Sequence, residues 1–111
     1  MQEPNPHREL VMGYVTELRR GVTVLAVLSL LRVPKYGYAL VEELAQAQVP
    51  VEANTLYPLL RRLEKQGLLD SEWEVGAKPR KYYVITEAGL DVWQQLTQRW
   101  QTLNANIGAL L

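Results

Sequence analysis

No cysteine occurs in the 111 residues, which excludes disulfides, thiolate catalysis and zinc–thiolate sites. Histidine is almost as scarce, His7 being the single one and close to the N-terminus. Serine occurs only as Ser29 and Ser71, neither inside a nucleophile motif, and there is no glycine-rich phosphate loop or dinucleotide fingerprint. These absences argue against an enzyme, and neither cofactor nor metal is expected. No apolar run approaches the roughly 18 residues of a membrane span. The opening stretch, Met1 to His7, lacks the basic and apolar regions of a signal peptide, so the expected location is the cytoplasm and no membrane partner is expected.

Net charge is also absent: 12 basic residues balance 12 acidic ones. A nucleic-acid binder is more often basic overall, so the distribution matters more than the sum. From Asn54 to Tyr82 the basic residues are Arg61, Arg62, Lys65, Lys78, Arg80 and Lys81, against Glu64, Asp70, Glu72 and Glu74, a local excess of two. They fall in two clusters, one helical and one at a hairpin tip.

What is present is enough apolar residue, 48%, for one modest core and hence a single domain over 1–111. Pro4 and Pro6 point to a frayed start. A helix is expected from about His7 to Arg20, with Leu10, Val11, Tyr14 and Leu18 on one side. Val22 to Leu31 is nearly all apolar; periodicity leaves strand and buried helix open, while length and leucine content favour helix, stopped by Pro34. Tyr36-Gly37-Tyr38 precedes a third helix carrying Leu40, Leu44 and Ala47. The clearest helix spans Asn54 to Gln66, where Leu56, Leu59, Leu60 and Leu63 recur at three and four and Gly67 is a fitting C-terminal cap.

Asp70 to Val75 and Arg80 to Thr86 read as strands joined by Gly76-Ala77-Lys78-Pro79. The expected register sets Glu74 opposite Lys81 and Trp73 opposite Tyr82. Thr86 is the expected N-cap of a last helix running from Glu87 to about Ala109. The fold class is therefore mainly α with a small β-hairpin, in winged helix-turn-helix order: a core over 18–86, then a final helix over 87–111, with the first and last helices as dimerisation elements.

On the helix Asn54–Gln66 the four leucines form one face. Asn54, Pro58, Arg61 and Lys65 lie opposite, flanked by Thr55, Tyr57 and Arg62. That composition suits either a solvated surface or a DNA major groove, where Arg forks onto guanine, Asn pairs adenine and Lys sits on phosphate. The hairpin tip, with Lys78, Arg80 and Lys81 beside Pro79, adds a second basic feature on the next element, as a winged helix requires. Gly37 opens the preceding helix, whose N–H groups could take a phosphate with help from Tyr36 and Tyr38. Glu42 and Glu43 are expected to point away from DNA.

In the last helix Trp93, Leu96, Trp100, Leu103, Ile107 and Leu110 follow a 3, 4, 3, 4, 3 spacing, a heptad seam. It suits a second copy, with Leu10 and Tyr14 joining the interface, or alternatively the chain's own first helix. Trp93 and Trp100 suit interface core or a slot for a flat aromatic effector.

Several blocks resemble one known family, the PadR-like transcriptional regulators. They are Leu18-Arg19-Arg20-Gly21, Tyr36-Gly37-Tyr38, Thr55-Leu56-Tyr57-Pro58-Leu59-Leu60-Arg61-Arg62-Leu63-Glu64-Lys65, Gly67-Leu68-Leu69, Arg80-Lys81-Tyr82-Tyr83 and Thr86-Glu87-Ala88-Gly89. The resemblance spans about Leu18 to Trp100. It implies a winged-helix repressor of double-stranded DNA that dimerises through its last helix, in the small subfamily that ends after one such helix. Some small members bind flat aromatic drugs between paired tryptophans, and Trp100 matches that position. The wing is shorter here than in many relatives. A competing function is a winged-helix dimer serving as a protein-interaction or drug-sequestering module.

Overall fold

The computed structural model describes residues 5–111, so Pro4 lies outside the described residues. Helix α1 (Arg8–Arg20) buries none of its residues; Leu10, Tyr14 and Leu18 all stand exposed. The apolar run after Gly21 is helix α2 (Thr23–Leu30), which buries Val27 and Leu28, with Leu31 completing its contribution to the core. Length decided the outcome: eight residues of helix fit between Gly21 and Pro34.

Helix α3 (Gly37–Gln46) buries Leu40 and Leu44, and helix α4 (Ala53–Lys65) buries Leu56, Leu59, Leu60 and Leu63. Both end in the same way. Gly67 has φ +78°, its N–H donates to the Glu64 carbonyl, and Leu68 N–H reaches back to Leu63 at 3.0 Å. After α3, Gln48 takes the same left-handed conformation at φ 67°, with Val49 N–H donating to Leu44. These paired bonds satisfy carbonyls that the helix end leaves open and turn the chain sharply. Pro58 is the sixth residue of α4, so it removes one backbone donor without ending the helix.

The sheet has one more strand than the hairpin read from the sequence. Strand β1 (Lys35–Tyr36) pairs antiparallel with β3 (Arg80–Ile85), which pairs with β2 (Leu69–Glu74), giving the order β1-β3-β2. Two residues are too few to show alternation, which is why β1 does not announce itself.

The hairpin register requires a correction. Glu74 opposes Arg80, Trp73 opposes Lys81 and Glu72 opposes Tyr82, one residue away from the pairing expected from the alternation. Val75 leaves the strand, 96% exposed, so the connection runs over 75–79 and the ladder shifts by one.

Helix α5 (Glu87–Leu110) starts at Thr86, whose Oγ1 accepts the Gly89 N–H at 3.0 Å and donates to the Gly67 carbonyl at 2.6 Å. Gly89 sits so close to the chain after α4 that a Cβ would fall 2.2 Å from the Leu68 carbonyl oxygen. The first half of α5 packs on α2 and β3. The single core joins α2, α3, α4, Leu69 and Tyr83, and contains no buried polar side chain among the described residues. Nor is any helix among them long and apolar enough to cross a membrane.

Candidate nucleic-acid interface

The exposed side of α4 follows directly from the side it buries. With four leucines in the core, Asn54, Thr55, Pro58, Arg61, Arg62 and Lys65 are left exposed on one surface. Tyr57 differs. It is half-buried, and its ring covers Gly37 at the start of α3 so closely that a Cβ there would lie 2.6 Å from it. Tyr57 thus packs α4 against the start of α3, a packing role its place on the wheel did not reveal.

An open hollow of about 750 Å³ runs beside α4 towards the wing, lined by Pro58, Arg61, Arg62, Glu64, Lys65 and Lys81. Arg61, Arg62, Lys65 and the wing's Lys78 have no carboxylate partner among the described residues. Lys81 is engaged: its Nζ lies 3.7 Å from Glu64 and faces the rings of Trp73 and Tyr83. Glu64 also accepts from the Ser71 hydroxyl at 2.7 Å, so it ties α4 to the first wing strand.

Tyr36 and Tyr38, expected at the start of α3, and Arg80, expected at the hairpin tip, form one cluster. The Tyr36 and Tyr38 rings stack 5.6 Å apart and 4° from parallel. The Arg80 guanidinium lies 4.5 Å over Tyr36, donates to the Tyr38 hydroxyl, and pairs with Glu74 at 3.2 Å. The Tyr36 hydroxyl donates to the same carboxylate. That bond, together with Arg80, holds Glu74 below the usual carboxylate range, and the neighbouring carboxylate holds Tyr36 above the usual phenol range. Arg80 is stabilised in its charged form by the same partners. Strand β1 is the missing link, because it places Tyr36 directly opposite Tyr82 on β3.

Of the acids expected to avoid DNA, Glu43 pairs with Lys35 at 3.1 Å, while Glu42 is exposed. Next along β3, the Tyr82 hydroxyl donates to Glu72 at 2.7 Å.

The seam of α5 divides in two. Trp93 is half-buried within its own chain: its Nε1 donates to Ser29 Oγ at 2.8 Å and Arg32 lies 4.6 Å over its ring. Leu96 also packs against the core. Trp100, Leu103, Ile107 and Leu110 remain exposed, at 44%, 59%, 48% and 81%. Nothing among the described residues gathers three His, Cys, Asp or Glu side chains into a metal site.

The model of the transcriptional regulator PadR-like family matches residues 24–95. A PadR family transcriptional regulator from Eggerthella lenta is similar at 54% identity, over 94% of each chain, with a TM-score of 0.90. A PadR-like transcription factor from Bacteroides fragilis shares 31% identity over 89% of this chain and 99% of its own, with a TM-score of 0.74. A PadR-like regulator from Bacillus cereus shares 28% over 85% and 95%, with a TM-score of 0.77. No curated protein matches the chain. With a family model over more than half its length and solved structures similar over nearly all of it, the chain belongs to the PadR-like family and is a transcriptional regulator, not an enzyme.

Proposed function

We propose that the protein is a repressor that binds a pseudo-palindromic operator as a homodimer, with the α4 helix of each copy in a major groove. The observation that carries this reading is the two-sidedness of α4. Its leucines anchor it in the core, and its opposite surface offers Asn54 and Thr55 with three cations that have no carboxylate partner among the described residues, Arg61, Arg62 and Lys65. Asn54 and Arg61 are suited to base edges, Lys65 and Arg62 to phosphates. Tyr36, Tyr38, Lys78, Arg80 and Lys81 extend the contact along the wing.

Four apolar side chains standing exposed on the second half of α5, with Leu10 and Tyr14 exposed on α1, support a twofold assembly. Two copies would then address half-sites about 34–36 Å apart. Trp100 and its symmetry mate would flank a slot for a flat aromatic effector that releases the DNA. Such a target places the protein in the cytoplasm.

Fluorescence anisotropy with a labelled duplex from the gene's own upstream region tests the reading against a scrambled duplex. The expected preference is on the order of 10³-fold or more. Equal affinity for the two duplexes, or none for either, would leave the winged-helix dimer as a protein-interaction or drug-sequestering module.

A further inference from the structure

Helix α4 stands as a ridge between two hollows. One lies on the wing side and is lined by Arg61, Lys65 and Lys81; the other lies on the opposite side and is lined by Arg19, Arg20 and Val51. Pro58 and Arg62 line both, so they form the crest of the ridge. The second hollow has about the same volume, ~740 Å³, and is bounded by the C-terminal end of α1, the start of α2 and the start of α4.

Its charge is one-sided. Arg19, Arg20 and Arg62 face Glu52, the one acidic residue among those that line it. All three arginines are exposed, and none has a carboxylate partner among the described residues. Helix α1 buries no residue, so the core of this chain does not require arginine at either position. With no carboxylate beside them among the described residues, these guanidinium groups are available to an anion.

The occupant follows from the shape of DNA. A major groove is about 12 Å wide and is bounded by a sugar–phosphate strand on each side. A helix seated in it therefore meets one strand on the wing side and the other on the side away from the wing. We propose that Arg19 and Arg20 form a second phosphate shelf, gripping the strand on the far side of α4 from the wing. Arg62, on the crest, reaches towards both strands. The shelf rests on the reading of α4 as the DNA-reading helix. It gives the short wing a counterpart, so that α4 is held from both sides.

Phosphate contacts fix register and affinity without reading sequence. The Arg19→Gln/Arg20→Gln double variant, which keeps good helix formers at both positions, should melt at the wild-type temperature. Its affinity for the upstream duplex and for a scrambled duplex should fall by the same factor. Each phosphate that is no longer neutralised takes about 0.9 from the slope of log K against log salt, so four phosphates in a twofold complex take away about 3 to 4. An unchanged slope and affinity, with the wild type binding its upstream duplex normally, overturns the shelf alone and leaves the hollow to a smaller anion. A loss confined to the upstream duplex also overturns it, because the arginines would then be reading bases. A wild type that binds neither duplex overturns the shelf and the function together.

Discussion

Gly37 opens helix α3 directly beneath the ring of Tyr57 on helix α4, so close that a methyl group would lie 2.6 Å from the ring carbon and 2.9 Å from its hydroxyl. The contact fixes how α4 is presented. Gly37→Ala is expected to push the Tyr57 ring out and to destabilise the protein by about 1–3 kcal/mol, the usual range for overpacking. Tyr57→Ala removes the obstacle, so the double variant should be more stable than the two separate losses would sum to. Strict additivity in urea melts would show that the two residues are not coupled.

That contact also marks the boundary of what the sequence discloses. Helix α4 was legible because four leucines recur at helical spacing and Gly67 stops the helix. The N-cap role of Thr86 was legible for the same local reason. Non-local pairings were not. Strand β1 is two residues long, and the wing register depends on whether Val75 belongs to the strand or to the turn. Periodicity gives the spacing of the α5 stripe but not where α2 ends beneath it. The Trp93–Ser29 hydrogen bond joins residues 64 apart, so that Trp93 faces inward while Trp100 does not. Among the candidate DNA contacts, the sequence showed which residues carry charge. It did not show that Arg80 and Lys81 are already paired with Glu74 and Glu64 while Arg61, Arg62 and Lys65 are free of carboxylates among the described residues.

Those free cations separate into two behaviours. Arg61→Ala should weaken operator binding by about 1–3 kcal/mol and relax discrimination at one base pair per half-site. Lys65→Ala should weaken operator and scrambled DNA alike and lower the salt slope by about 0.9 for each phosphate that Lys65 neutralises. A folded Arg61→Ala/Lys65→Ala double variant with wild-type anisotropy curves would remove α4 from the interface.

The Tyr36–Glu74–Arg80 cluster should respond to pH at both extremes. Glu74 is held low chiefly by the Tyr36 hydroxyl, so its contribution is complete above the ordinary carboxylate value of 4.5 and is lost as pH falls through its lower folded value. Tyr36 is held high chiefly by Glu74, so its contribution is complete below 10.0 and is lost as pH rises through its raised folded value. Between these limits the wing stays tied to the start of α3. Backbone amide shifts of Tyr36 and Arg80 should report the acid step, and Glu74→Gln should abolish it. Persistence of the same step in Glu74→Gln would assign it to another group.

The exposed half of α5 carries the expectation of a dimer. Leu103→Asp with Ile107→Asp puts two like charges per chain into the stripe, where a partner could not satisfy them. The variant should sediment as a monomer with its fold intact, because neither side chain is buried in this chain, and operator affinity should fall with it. Wild-type protein that sediments as a monomer at micromolar concentration would refute the twofold assembly.

Trp100 sits one turn from Leu96, which packs on the core, and from Leu103, which does not, at the point where the α5 stripe turns from the chain's own body to solvent. In a twofold assembly its indole and that of the second copy would face a common space with apolar walls. Indole faces attract aromatic rings and cations by about 0.5–2 kcal/mol beyond the area they bury. A planar cationic dye should therefore quench the intrinsic fluorescence, and Trp100→Ala should remove the response while leaving operator binding largely intact. Trp93 supplies an internal control, since its indole is already committed to Ser29 and Arg32 and should change little. For the ligand to release DNA it must bind better to an arrangement in which the two α4 helices no longer match the half-site spacing. Dye and operator should then compete, each lowering the other's affinity by the same factor. Equal quenching in wild type and Trp100→Ala would return Trp100 to the role of interface core.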